Sequence, residues 1–204
     1  TLSLSTIDRS AAERTRSILM FIGSLIHHFD SFDIPQSGGC TLGLRSVRPH
    51  LWALERFGVA ISAEHDHFHI AQSTLRPAEV VLFESSDTAT INALLAAAGI
   101  SGTSTIKYAS ANYQVQEVCG FLKALGFGVE GIGTTTLTIT GSVLPKMDIS
   151  YSIAEDPTDA MFFIAAGIVT KSKLTIERAP IEFLEVELAI LEKMGLAYEQ
   201  TDAG

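Results

Sequence analysis

Apolar positions along this chain follow two periods that alternate. Ile91, Leu94, Leu95 and Ala98 keep the 3.6-residue spacing of one helix face, and Val115, Val118, Phe121, Leu122 and Leu125 repeat it. Residues 88–100 are apolar almost all round, as suits a helix surrounded by others. The pattern predicts helices over 14–28, 49–57, 88–100, 114–125, 157–169 and 181–194. Between them it predicts strands over 31–35, 59–63, 68–72, 80–84, 104–109, 127–132, 136–140, 148–153, 173–178 and 196–201. His65-Asp66-His67 and Gly133-Thr134-Thr135 read as hairpin turns.

One phrase occurs three times: Leu54-Glu55-Arg56-Phe57-Gly58, Leu122-Lys123-Ala124-Leu125-Gly126 and Leu191-Glu192-Lys193-Met194-Gly195. The three glycines fall about 68 residues apart, each at the stop position of an amphipathic helix. The chain therefore divides into three units, about 1–84, 85–153 and 154–204, on the order helix, strand, helix, hairpin, strand, with only the first two units continuing into the hairpin's second strand. Leu94, Leu95, Phe121, Phe162 and Ile164 are the expected core.

Composition narrows the function. Hydrophobic residues make up 47% of the 204, ample for a core. No apolar run approaches the roughly 18 residues of a membrane span, and no secretion signal is visible, so a cytoplasmic location is expected. The first residue is Thr1, so the chain reads as a fragment, a processed chain or a cut-out domain. A formal net charge of -9 disfavours nonspecific nucleic-acid binding, while a local arginine cluster can still hold an anionic small molecule. Two cysteines, Cys40 and Cys119, give neither a disulfide framework nor zinc spacing. Cys119 lies in an apolar helical pattern and reads as core.

The loop at residues 34–50 asks for a chemical explanation. Gly38 and Gly39 precede Cys40 and let the backbone bend sharply or approach a ligand. Arg45, Arg48 and His50 bring positive charge near the thiol, which lowers its pKa and attracts anions. The residues alone leave two readings, a reactive loop and a surface loop with an incidental cysteine. His65, His67 and His69 are similarly open between a metal site and the exposed face of a hairpin, and no further ligand stands near them in sequence.

Ser37-Gly38-Gly39-Cys40-Thr41-Leu42-Gly43-Leu44-Arg45 resembles the Pro-Gly-Gly-Cys-x-Ile-Gly-x-Arg loop of the UDP-N-acetylglucosamine enolpyruvyl transferases, also called UDP-N-acetylglucosamine 1-carboxyvinyltransferases. Arg16-Ser17-Ile18 and Gly23-Ser24-Leu25 resemble that family's Arg-Ala-Ser and Gly-Pro-Leu helix. Ser86-Asp87-Thr88-Ala89-Thr90 is similar to its Ser-Val-Gly-Ala-Thr, and the segment from Gly131 to Gly141 to its Gly-x-Gly-Thr hairpin. The resemblance covers nearly the whole chain and about half of the family's length.

It implies an α/β (α+β) inside-out barrel, with helices inside and sheets outside, built from three repeats around a pseudo-threefold axis. It implies peptidoglycan precursor synthesis: enolpyruvyl transfer from phosphoenolpyruvate to UDP-N-acetylglucosamine, with no cofactor and no metal. Cys40 would be the general acid and the site of fosfomycin alkylation. Arg16 and Arg45 would meet phosphoenolpyruvate, and Arg48, Ser86, Asp87 and Thr88 would lie at the UDP-sugar end. The implied partners are the two substrates and either a second domain or a homo-oligomer partner.

The sequence departs from the family where the nucleotide binds. Ser46-Val47-Arg48 replaces Pro-Val-Asp, Glu84 stands at a lysine position, and Asp87 replaces a small residue. Asn112-Tyr113-Gln114 replaces Glu-Pro-Glu. The alternative function is therefore a non-catalytic domain that binds an anionic ligand or a partner subunit. A sister transferase acting on shikimate 3-phosphate is disfavoured, because the enzymes with that substrate lack the cysteine loop.

Overall fold

Glycine ends a helix in each of the three repeated phrases. Gly58, Gly126 and Gly195 all adopt left-handed φ, at 94°, 90° and 95°. Each donates its amide to a carbonyl three residues back, Glu55, Lys123 and Glu192 respectively. Residues with a Cβ avoid this conformation, so the glycine itself stops the helix.

The structure, a computed structural model, describes residues 4, 7–36, 46–143 and 148–201. It divides into two compact units, Thr1–Tyr151 and Ser152–Gly204. The first unit runs α1 (Arg9–Arg14), a 3-10 helix (Arg16–Phe21), α2 (Ile22–Leu25), β1 (Ser31–Pro35), α3 (Arg48–Arg56), β2 (Val59–Ala63) and β3 (His67–Gln72). It continues through β4 (Glu79–Val81), α4 (Asp87–Ala98), β5 (Gly102–Lys107), α5 (Tyr113–Ala124), β6 (Gly128–Glu130) and β7 (Thr136–Gly141).

Two sheets result. One is antiparallel with order β1-β3-β2; the other has order β4-β5-β7-β6, with β4 parallel to β5 and the remaining pairs antiparallel. Residues along β1 and β7 alternate between covered and exposed, so each sheet offers one face to the interior. Helix α4 lies inside, packed by α2, α3 and α5, with Leu94, Ala96 and Ala97 fully buried. Within this first unit the expected order of helices within and sheets without is found, and its two sheets do not close into a barrel.

In the second unit α6 (Pro157–Thr170) is followed by a 3-10 turn (Ile181–Phe183) and α7 (Glu185–Lys193). Its core is small: Ala160, Leu184 and Leu188, flanked by Met161, Ile164 and Ile176. No helix among the described residues is long and apolar enough to cross a membrane.

Several expectations are corrected. Residues 14–28 do not form one helix. Thr15 is extended, at φ -118° and ψ 122°, and the chain re-enters as a 3-10 turn before α2. The expected strands 148–153, 173–178 and 196–201 are absent, because no neighbouring strand among the described residues offers them a ladder. The strand expected at 80–84 pairs only as β4. Of the expected core, Leu94 is buried, whereas Leu95 and Ile164 are half-buried. Phe121 is 38% exposed, its ring set edge-on against Tyr151, and Phe162 is 67% exposed beside Phe163. The small second core covers too little of α6 to hide Phe162.

Candidate functional site

The chain is pinned just before it enters α4. The Trp52 indole of α3 donates to the Val81 carbonyl at 3.0 Å, and Leu82 donates to the Lys107 carbonyl at 3.0 Å. Ser86 is extended and caps α4: its hydroxyl accepts from the Ala89 amide at 3.4 Å, and its carbonyl accepts from Thr90. Amides in the first turn of a helix have no carbonyl four residues back, so this end carries partial positive charge.

Arg16 opens the 3-10 helix and donates through its guanidinium to the Ser46 carbonyl. A cleft of about 510 Å³ lies between these elements, lined by Arg16, Ser46, Glu84, Ser85, Ser86, Asp87 and Thr88. Four predicted site residues, Arg16, Ser86, Asp87 and Thr88, thus meet at one place. Arg48 does not border it; its guanidinium pairs with Glu55 at 3.2 Å along α3. Cys40 and Arg45 lie outside the described residues.

Two carboxylates share the cleft with this positive charge. The Asp87 carboxylate is held from behind: Ser110 Oγ donates to one oxygen, and Asn112 Nδ2 donates to the other at 3.1 Å. These donors, together with the helix end, offset part of its charge.

His50 corrects the sequence reading. It is 2% exposed and adds no positive charge, because burial pushes its pKa down to about 4, with the nearby Arg16 lowering it further. Its Nε2 lies 3.2 Å from Thr88 Oγ1, and its Nδ1 lies 3.3 Å from Asn92 Nδ2. Asn92 is itself fully buried in α4. A single amide amid the apolar residues 91–98 was the signal in the sequence that could have marked it. Cys119 is fully buried, as expected, and burial pushes its thiol up to about 11. On the outer sheet, His67 Nδ1 pairs with Asp66 at 2.8 Å and His69 Nδ1 with Asp33 at 2.7 Å. A larger cavity, about 690 Å³, lies within the second unit, and none of the predicted site residues borders it.

An arginine, a capped helix start and two carboxylates border one cleft of an α/β protein, and of these the arginine and the helix amides are the groups that can donate to an oxyanion. The profile of the EPSP synthase (3-phosphoshikimate 1-carboxyvinyltransferase) family matches residues 18–204, and the chain belongs to that family. It is 32% identical to the UDP-N-acetylglucosamine 1-carboxyvinyltransferase of Sulfurimonas denitrificans, over 99% of this chain and 50% of the relative. It is 33% identical to the enzyme of that name from Bradyrhizobium diazoefficiens, over 93% of this chain and 44% of the relative. The chain thus spans about half the length of these relatives. Among solved structures, the enolpyruvyl transferase NikO from Streptomyces tendae superposes with a TM-score of 0.71 at 18% identity, over 91% of this chain and 45% of the other. EPSP synthase from Acinetobacter baumannii gives 0.65 at 18% identity, over 93% and 44%. These likenesses establish the enolpyruvyl transferase fold.

Proposed function

We propose that this chain carries part of an enolpyruvyl transferase site that joins phosphoenolpyruvate to UDP-N-acetylglucosamine. The observation that carries this reading is the convergence of Arg16 and the capped start of α4 on one cleft, beside the segment that leaves the Cys40 loop. A sugar hydroxyl adds to the central carbon of phosphoenolpyruvate and loses its proton, while Cys40 protonates the methylene carbon. A proton then leaves the resulting methyl group as the carbon–phosphate oxygen bond breaks, which releases phosphate and restores the double bond. Arg16 and Arg45 neutralise the phosphate and carboxylate of phosphoenolpyruvate. Ser86, Thr88 and the helix end take the diphosphate, with Asp87 beside them. A second domain or a second copy of the chain supplies the facing wall.

A second reading, an anion-binding domain without turnover, is favoured by Glu84 and Asp87, which border the cleft and oppose a second phosphate. Calorimetry with each substrate and a phosphate-release assay test both. The chain alone is expected to bind phosphoenolpyruvate or phosphate weakly, to bind UDP-N-acetylglucosamine little, and to turn nothing over. No binding of either anion overturns the site reading. Steady phosphate release that depends on UDP-N-acetylglucosamine means instead that copies of the chain rebuild the cleft.

A further inference from the structure

A chain of hydrogen bonds runs from the 3-10 helix to the cleft, and its partners fix its directions. The Gly23 amide can only donate, so Asn92 turns Oδ1 toward it, at 2.7 Å. The Leu19 carbonyl can only accept, so Asn92 presents Nδ2 to it, at 2.9 Å. The second Nδ2 hydrogen remains for His50 Nδ1 at 3.3 Å, which therefore has to be the bare, accepting nitrogen. A neutral imidazole then carries its one proton on Nε2, facing Thr88 Oγ1 at 3.2 Å. Thr88 accepts from His50, so its own hydroxyl hydrogen points elsewhere. Ser86 Oγ, at 3.4 Å, can take that hydrogen only at the long edge of hydrogen-bond range, and an oxyanion in the cleft that both residues line offers it a shorter, charged acceptor.

We propose that His50 is a positioning residue that holds the Thr88 hydroxyl as a hydrogen-bond donor aimed into the cleft, at a phosphate oxygen of the ligand. The inference rests on the reading of the cleft as a phosphate site. It assigns Thr88 a neutral donor that strengthens binding without adding charge. It also gives the buried, neutral state of His50 a purpose: a doubly protonated imidazole would lose the bond from Asn92 and turn two donors outward.

The test is a double-mutant cycle on the full 204-residue chain, with inorganic phosphate as the probe and the backbone amide signals of residues 86–89 as the readout. Thr88→Val is expected to weaken phosphate binding about fivefold, the equivalent of one ordinary hydrogen bond. Thr88→Ser should restore affinity to within about twofold. His50→Gln should weaken binding about threefold in the parent and have no effect on top of Thr88→Val. If His50→Gln does not fold, nitrogen NMR of the parent imidazole decides: a protonated Nε2 and a bare Nδ1 are expected, and the opposite tautomer overturns the inference. Equal effects of His50→Gln in both backgrounds, or a Thr88→Val chain that binds phosphate like the parent, also overturn it while leaving the cleft reading intact. No phosphate-dependent shift in the parent overturns the cleft reading, and the inference with it.

Discussion

Asn92 Oδ1 accepts the Gly23 amide hydrogen at 2.7 Å, in the place where the Leu19 carbonyl would close an α-helical turn. The same side chain donates to that carbonyl at 2.9 Å. One amide is thus inserted into the ladder between residues 19 and 23, and the segment divides there into a 3-10 turn and α2. The insertion joins the element that carries Arg16 to the helix whose first turn lines the cleft. Asn92→Ala should therefore cost about 2–4 kcal/mol, because it strands buried donors and acceptors on both elements. Urea denaturation measures this, and an unchanged midpoint would sink the account. Gly23→Ala should be at least as severe, since a Cβ there would stand 2.3 Å from the Asn92 carbonyl oxygen.

The repeated glycines separate strain from space. A Cβ at Gly126 meets nothing within 4 Å, so Gly126→Ala carries only the left-handed penalty, about 1–2 kcal/mol. At Gly58 a Cβ would also lie 2.3 Å from the Thr74 carbonyl oxygen, so Gly58→Ala should lose clearly more. Thermal melts of the two variants that come out equal would contradict this.

Acid should weaken the fold through His50. Its folded pKa is about 4 against an ordinary value near 6.5, so between those values the unfolded chain binds the extra proton. The stability that neutral His50 contributes is fully present above about pH 6.5 and is lost as pH falls toward 4, by about 3 kcal/mol in all. Denaturation midpoints across that range should drop for the parent and drop less for a folded His50→Gln variant.

Glu84 should limit anion binding. It borders the cleft and is exposed, so its repulsion is that of a charge in a wet site, about 1 kcal/mol at 4 Å. Glu84→Lys reverses the sign and should tighten phosphoenolpyruvate binding about tenfold at low salt, with the gain shrinking as salt rises. Calorimetry at two ionic strengths checks it. Unchanged affinity at both would place the ligand elsewhere.

The two cysteines should react at very different rates. Burial raises the Cys119 thiol to about 11, so little thiolate forms there near neutral pH. Cys40, in a glycine-rich cationic loop of the sequence, should take iodoacetamide or an epoxide first. Mass spectrometry of partly labelled protein that finds Cys119 modified first would reject this.

Much of the fold is written locally. The 3.6-residue spacing placed α4 and α5 within a residue or two of their ends, because each helix buries its own apolar positions. The phrase ending in glycine marked three helix stops, because only the missing Cβ permits that turn. The Gly-Gly-Cys loop and the Arg16 and Ser86 segments carried the family resemblance. Tertiary structure decided what depends on partners far along the chain. The break near Gly23 is made by Asn92, 69 residues away, and the spacing of residues 14–28 holds no trace of it. His50 reads in sequence as one more cation in a basic loop; burial against α4 makes it neutral and sets its Nε2 3.2 Å from Thr88 Oγ1. Asp87 reads as bare repulsion at the cleft, whereas Ser110 and Asn112 bind its carboxylate from another loop. Periodicity reports which face of an element is covered, but hydrogen-bond partners and protonation states are set by whatever covers it, and that is fixed only when the chain folds.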